Sequence, residues 1–168
     1  MVVMKLRMNN ALTRFSIIAC FTMLLAGCAQ PPSVMMQIHS AHYLNPDVNG
    51  GASPVVVTVY QLKSTFNFQQ ATYDQLSTNS GDVLGTDLID RSTIEVRPDS
   101  DQSVKQPLSP NTQFLGIVAA YRNIGAAAWR QTVPVTNTTD EETVVNLDLE
   151  SQALTATVTN TKNTRYSL

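Results

Sequence analysis

Reactive side chains are scarce in this 168-residue sequence: two cysteines, Cys20 and Cys28, two histidines, His39 and His42, and one tryptophan. Three residues apart on a strand, His39 and His42 fall on opposite faces and are not expected to chelate a metal together. There is no G-x-S-x-G elbow, no H-E-x-x-H, no P-loop and no paired cysteine motif. No serine has a base obviously beside it, so nucleophilic catalysis lacks its parts. The carboxylates Asp99, Asp101 and Asp140-Glu141-Glu142 fall in turn-like stretches and read as solvated loop charge rather than an acid/base pair. Aromatic residues make up only 7% of the chain, too few for a densely lined ligand cleft. No catalytic, cofactor-binding or metal-binding residue is expected, and the chain is not expected to be an enzyme. No apolar run reaches the roughly 20 residues that a membrane-spanning helix needs.

What is present begins at the N-terminus. Lys5, Arg7 and Arg14 form a positive leader, and the stretch from Phe15 to Leu25 is apolar and of signal-peptide length. Leu25-Ala26-Gly27-Cys28 follows, the bacterial lipobox pattern, in which a thiol takes a diacylglyceryl group and the signal is cut before it. Residues 1–27 are therefore expected to leave, and Cys28 to carry covalent lipid. Because one acyl chain holds a protein only marginally, stable anchoring takes more than one; a mature bacterial lipoprotein carries three. Ala29 stands where an Asp would favour inner-membrane retention, so the outer membrane is the expected address.

Processing changes the balance sheet of the chain. The mature part has 141 residues, one domain with room for a real core. Three of the 11 basic residues and none of the 13 acidic ones lie in the leader, which leaves a net charge of −5. An acidic body argues against nucleic acid. Cys20 leaves and Cys28 is modified, so no intramolecular disulfide is available and the core alone must hold the fold.

Residues 28–33 read as a lipidated tether, its Pro31-Pro32 pair favouring an extended spacer. Residues 34–160 read as a β domain and 161–168 as a polar tail. A first strand is expected near 34–42. The loop after it, Asn45, Pro46, Asp47, Val48, Asn49, Gly50, Gly51, Ala52 and Ser53, is dense in chain-reversing pairs and longer than a hairpin requires, which marks it as a working part. Val55 to Leu62 is β-branched and nearly continuous, as for a central strand buried on both faces. One short helix is expected next, with Asn67 and Gln70 as its capping box, Phe66 stapled on Ala71 and Gly81 as its stop. Residues 82–90 read as a packed turn. Strands are then expected at 93–97, 104–108 (an edge), 114–122, 129–135, 144–149 and 154–158. About eight short strands with turns between them make a mainly β, two-sheet β-sandwich with one short helical insertion. Tyr121, Arg122, Trp129 and Arg130 read as sandwich core with arginines capping its rim, in preference to a surface aromatic–cation cluster.

Several of these segments together resemble a known family. They are the lipobox at Cys28, Pro54-Val55-Val56-Val57-Thr58-Val59-Tyr60-Gln61-Leu62-Lys63, Phe66 and Phe68, Leu84-Gly85-Thr86-Asp87-Leu88, Val96-Arg97-Pro98, Leu115 to Arg122, and Trp129-Arg130. The chain is similar to the outer-membrane lipoprotein of the type VI secretion system, the TssJ (SciN/VasD-like) family. One departure is Asp99-Ser100, where members often have glycine. The resemblance implies a transthyretin-like sandwich and a non-catalytic structural role in the system's membrane complex. It implies acyl chains in the outer membrane and a periplasmic body, in several copies, that docks the periplasmic C-terminal domain of TssM within the TssL/TssM inner-membrane complex. It also implies that loop 45–53 is the partner-contacting one; having little apolar area, that loop should need neighbouring surface as well. The alternatives are a lipid-anchored module binding a small ligand or carbohydrate, and a lipid-anchored hydrolase.

Overall fold

The computed structural model describes residues 31–135 and 141–162. Cys28, the leader, half of the tether and most of the tail lie outside them. The eight described strands are β1 (Ser33–Ser40), β2 (Val55–Leu62), β3 (Leu88–Val96), β4 (Ser100–Pro107), β5 (Phe114–Ala119), β6 (Arg130–Pro134), β7 (Glu141–Leu149) and β8 (Leu154–Lys162). They form two four-stranded sheets, ordered β4-β1-β7-β8 and β3-β2-β5-β6. Every pairing is antiparallel except β1 with β7. The sheets face one another across Met36, Ile38, Val57, Val59, Leu115, Ile117, Val145 and Leu147, all buried.

The continuous apolar run of β2 has a specific cause. Val55, Val57 and Val59 point between the sheets, while Tyr60 and Leu62, on the opposite face, enter a second core. That core is roofed by the helical insertion, whose Phe68, Leu76 and Leu84 are fully buried. Nearer its start, β2 has no such roof, and Val56 is 46% exposed. The strand is therefore central, as expected, but buried on both faces only where the helices cover it.

The insertion is two consecutive helices, α1 (Phe66–Gln70) and α2 (Tyr73–Leu84), closed by a 3-10 turn at Gly85–Asp87. The expected capping box moves from Asn67 to Thr72. The Gln75 amide donates to Thr72 Oγ1 at 3.3 Å, and the Thr72 amide donates to Gln75 Oε1 at 2.8 Å. Asn67 is occupied elsewhere, its side-chain amide donating to Asp87 Oδ2 at 2.9 Å. Phe66 is 69% exposed and staples nothing. Gly81 stays helical; the chain leaves α2 at Gly85, whose φ of +53° suits glycine. The stretch read as a packed turn is instead the end of α2, the 3-10 turn and the start of β3.

Gly116 on β5 lies beneath this roof. A Cβ there would stand 2.7 Å from the Phe68 ring and 2.9 Å from Leu62 Cδ1, so the ring fits only because the side chain is absent. Arg130 fastens the roof from the neighbouring strand. Its Nη1 donates to the Phe68 and Ala71 carbonyls, at 2.8 and 2.7 Å, and its guanidinium lies 4.7 Å from the Trp129 ring centre. Burial lowers the pKa of that guanidinium. Of the four rim residues, Arg130 does cap a rim, Tyr121 is buried with its hydroxyl on the Ala153 carbonyl, and Arg122 is exposed.

Gln61 is one of several buried polar residues. It is 2% exposed and satisfied on both ends: Nε2 donates to the Pro107 carbonyl, while Oε1 accepts from the Ser109 amide and the Thr112 hydroxyl. The β4–β5 connection is pinned to one end of β2 in this way.

Candidate docking loop

All strands run between two ends of the sandwich. At one end lie Ser33, Pro107, Thr143 and Leu62; at the other lie Ser40, Ser100, Leu149 and Val55. Pro32, the last tether residue before β1, is held at the first end, where its carbonyl accepts the Leu108 amide at 2.8 Å. Loop 45–53 leaves from the second. The eight residues of β1 separate the two, a span of about 26 Å at ~3.3 Å per residue.

The nine expected contact residues divide by depth. Asn45 and Ser53, at the loop's base, are buried, 4% and 9% exposed. Pro46 and Asp47 are half-buried, and Val48, Asn49, Gly50, Gly51 and Ala52 are exposed. Asn45 sits at φ +45° and ties three segments together. Its amide donates to the Ser151 carbonyl in the β7–β8 turn at 3.1 Å, and its side-chain Nδ2 donates to the Pro54 carbonyl at 3.0 Å. Its Oδ1 accepts the Arg122 amide, beyond β5, at 2.8 Å. Asparagine tolerates this left-handed backbone better than most residues, since its short amide bonds locally.

The tip closes on itself. Asp47 Oδ1 accepts the amides of Asn49 and Gly51, at 2.9 and 2.8 Å. The Asp47 amide donates to the Gly51 carbonyl and the Gly50 amide to the Asp47 carbonyl, at 2.8 and 3.0 Å. Gly50 supplies the φ of +81° this turn needs. The result is a pre-shaped knob that presents Val48 with its side chain wholly in solvent. Ordering entropy that a floppy loop would lose on docking is thereby already spent.

Apolar surface beside the loop was not anticipated from sequence. Tyr43, 66% exposed, stands against the His42 ring edge-on at 5.0 Å, and Val56 lies at the same end. Tyr43 was hidden because the first strand was expected to run to residue 42; it ends at Ser40, which turns 41–44 into loop. The one sequence cue was an aromatic directly before the turn-rich stretch.

The histidines are both exposed and paired with carboxylates on the β3–β4 side. His39 Nδ1 lies 2.7 Å from Asp101 Oδ1, and His42 Nδ1 lies 3.8 Å from Asp99 Oδ2. The hydrogen bond to Asp101, then its negative charge, raises the His39 pKa above the ordinary 6.5. Asp101 is thus a strand residue rather than a turn residue, as are Glu141 and Glu142. Asp99 does occupy a turn, with φ +53°, the conformation glycine takes most easily. Asp140 lies outside the described residues. Among the described residues no three His, Cys, Asp or Glu side chains gather to hold a metal ion. A shallow groove of about 240 Å³ crosses the outer face of the first sheet, between Gln37, His39, Ser103, Asn146 and Asp148, with no Phe, Tyr or Trp in its lining.

With this geometry in place, comparison with known proteins decides the family. The family model for the type VI secretion lipoprotein (VasD, EvfM, TssJ) matches residues 32–152. The chain belongs to this family. Among solved structures it is similar to the type VI secretion lipoprotein TssJ1 of Pseudomonas aeruginosa, at 32% identity and a TM-score of 0.71, over 77% of this chain and 97% of that one. It also shares its fold with Lip of Serratia marcescens, a membrane-bound component of the type VI secretion system, at 18% identity and a TM-score of 0.69, over 76% and 98% of the two chains. A chain in the solved structure of the TssM C-terminal domain from EAEC has the same fold, at 22% identity and a TM-score of 0.62, over 75% and 98%. No curated protein matches the chain. The matched residues begin at Pro32 and end just before β8, so they take in seven of the eight strands and the helical insertion.

Proposed function

We propose that this chain is an outer-membrane-anchored structural lipoprotein of the type VI secretion membrane complex. Cys28 carries the lipid, Ala29 directs the protein to the outer membrane, and residues 28–33 tether the domain in the periplasm. There it docks the periplasmic C-terminal domain of TssM, part of the TssL/TssM inner-membrane complex, in several copies per assembly. The docking surface is the tip of loop 45–53, widened by Tyr43 and Val56. The role is mechanical and involves no catalysis and no cofactor beyond the covalent lipid.

The observation that carries this proposal is the placement of loop and tether at opposite ends of β1. A protein held to one membrane while gripping a partner rooted in another must offer its grip at the end away from its anchor. Loop 45–53 does so, about 26 Å from Pro32 at ~3.3 Å per residue.

The test is a pull-down of the lipid-free domain against the matching TssM periplasmic domain. A second form replaces residues 46–52 with a short Gly-Ser link and keeps Asn45 and Ser53, which hold the base together. Loss of capture in a still-folded variant supports docking through the tip. Equal capture moves the interface to another face, and capture by neither form refutes the docking role.

A further inference from the structure

Four large apolar side chains are exposed among the described residues: Tyr43, Val48, Val56 and Phe66. Three stand at the loop end. Phe66, 69% exposed, stands alone at the tether end. Its position follows from the chain path. β2 runs from the loop end to the tether end and finishes at Leu62, whose carbonyl accepts the Gln113 amide; the Lys63 amide then donates to the Asp87 carbonyl. From there α1 doubles back. Phe68 lies over Gly116, and the Phe68 and Ala71 carbonyls are held by Arg130, which pairs with Val118, nearer the loop end. Phe66 is the first residue of α1, four residues past Leu62, where β2 finishes at the tether end.

We infer that Phe66 is a second membrane contact: its ring enters the headgroup–acyl boundary of the phospholipid bilayer that holds the lipid on Cys28. This rests on the lipid-anchor reading above. Four residues separate Cys28 from Ser33, so Ser33 stays within roughly 18 Å of the acylated residue even when the tether is fully extended. The tether end of the domain is therefore the part the anchor presses toward lipid. Two sheets about 10 Å apart and a helix layer of similar depth put Phe66 roughly 20 Å across that end from Pro32. An aromatic ring suits the boundary, where its apolar body leaves water without entering the chain region fully. Lys63, exposed three residues earlier, can lay its stem along the surface and reach a lipid phosphate. Asp87 and Asp90 lie at the same end, so the contact is apolar before it is electrostatic.

Two contacts set roughly 20 Å apart do what the lipid on Cys28 alone cannot: they restrict the domain's roll. Loop 45–53, at the opposite end, is then held pointing away from the membrane.

The experiment uses the full lipidated protein in vesicles of phosphatidylethanolamine and phosphatidylglycerol. Once the leader is removed and Cys28 acylated, Phe66→Cys or Val48→Cys supplies the one free thiol for an environment-sensitive fluorophore. Both sites are exposed, so labelling leaves the packing intact. Flotation with the vesicles is measured first, then quenching by nitroxide lipids and by aqueous iodide. The expected result is co-flotation of both proteins. The label at 66 should blue-shift and lose intensity to nitroxide lipid, while the label at 48 should be quenched by iodide alone. Co-flotation with no lipid quenching at 66 overturns the membrane contact and leaves the anchor standing. Shielding at 66 from both quenchers places a protein surface there instead and also overturns it. Equal lipid quenching at both positions overturns the orientation. Failure to float overturns the anchor, and this inference with it.

Discussion

Replacing Asn45 by alanine should loosen loop 45–53 without touching its surface. The substitution removes two side-chain hydrogen bonds, from Nδ2 to the Pro54 carbonyl and from the Arg122 amide to Oδ1. Each partner is left partly buried and unpaired, at about 1 kcal/mol apiece, the low end of the usual cost. Alanine must also hold the left-handed backbone at φ +45°, which adds about 1 kcal/mol. The sum is about 3 kcal/mol, or a melting temperature lower by roughly 10 °C for a domain of this size. Asn45→Gly removes the same bonds but relaxes the backbone, so it should recover about a third of the loss. Asn45→Asp keeps an acceptor for the Arg122 amide and sets a carboxylate oxygen against the Pro54 carbonyl, so it should be no better than Gly at neutral pH. Urea and thermal unfolding, followed by Trp129 fluorescence, measure all three. If Asn45→Ala unfolds within about 0.5 kcal/mol of the parent, the brace is not a brace. If all three unfold alike, the backbone part of the reasoning fails. Captured by the TssM domain, Asn45→Ala should bind more weakly than the parent, although its own side chain is buried.

Three other perturbations follow from the same geometry. Gly116→Ala forces a methyl against the Phe68 ring and should destabilise by about 1–2 kcal/mol, overpacking less the entropy lost by the unfolded chain; Phe68→Leu in the same chain should return part of it, read by urea unfolding. Arg130→Ala leaves the Phe68 and Ala71 carbonyls and the Trp129 face uncovered; a loss of about 2–3 kcal/mol is expected, with Arg130→Lys intermediate in thermal melts because an ammonium lacks the planar fork. His39 should titrate above 6.5 by NMR, and Asp101→Asn should bring it down, since the Asp101 hydrogen bond is the main cause of the rise. Because the folded pKa exceeds the unfolded one, the pair's contribution is fully present below pH 6.5. It disappears as pH rises through the folded value, so the stability gap between parent and Asp101→Asn should close there.

Local chemistry determined much of this protein by itself. The alternating strands and the overlong, turn-rich loop are written in nearest neighbours. So is the mainly β character, since β-branched runs and turn pairs act over a few residues. What the sequence could not disclose depended on contacts distant in the chain. Two T/N-x-x-Q patterns compete to cap the insertion, and Thr72 wins because Asn67 is claimed by Asp87, twenty residues on. The long apolar run of β2 announces burial on two faces, yet the helices alone decide how far along the strand that holds. Asn45 looked like any turn residue; only the fold sets it between Pro54 and Arg122 and makes it a brace. Likewise, nothing in the order of residues says that Tyr43 and Val48 share one end and Phe66 lies at the other. Strand direction decides that, and it places loop 45–53 and the start of β1 on opposite ends of the same sandwich.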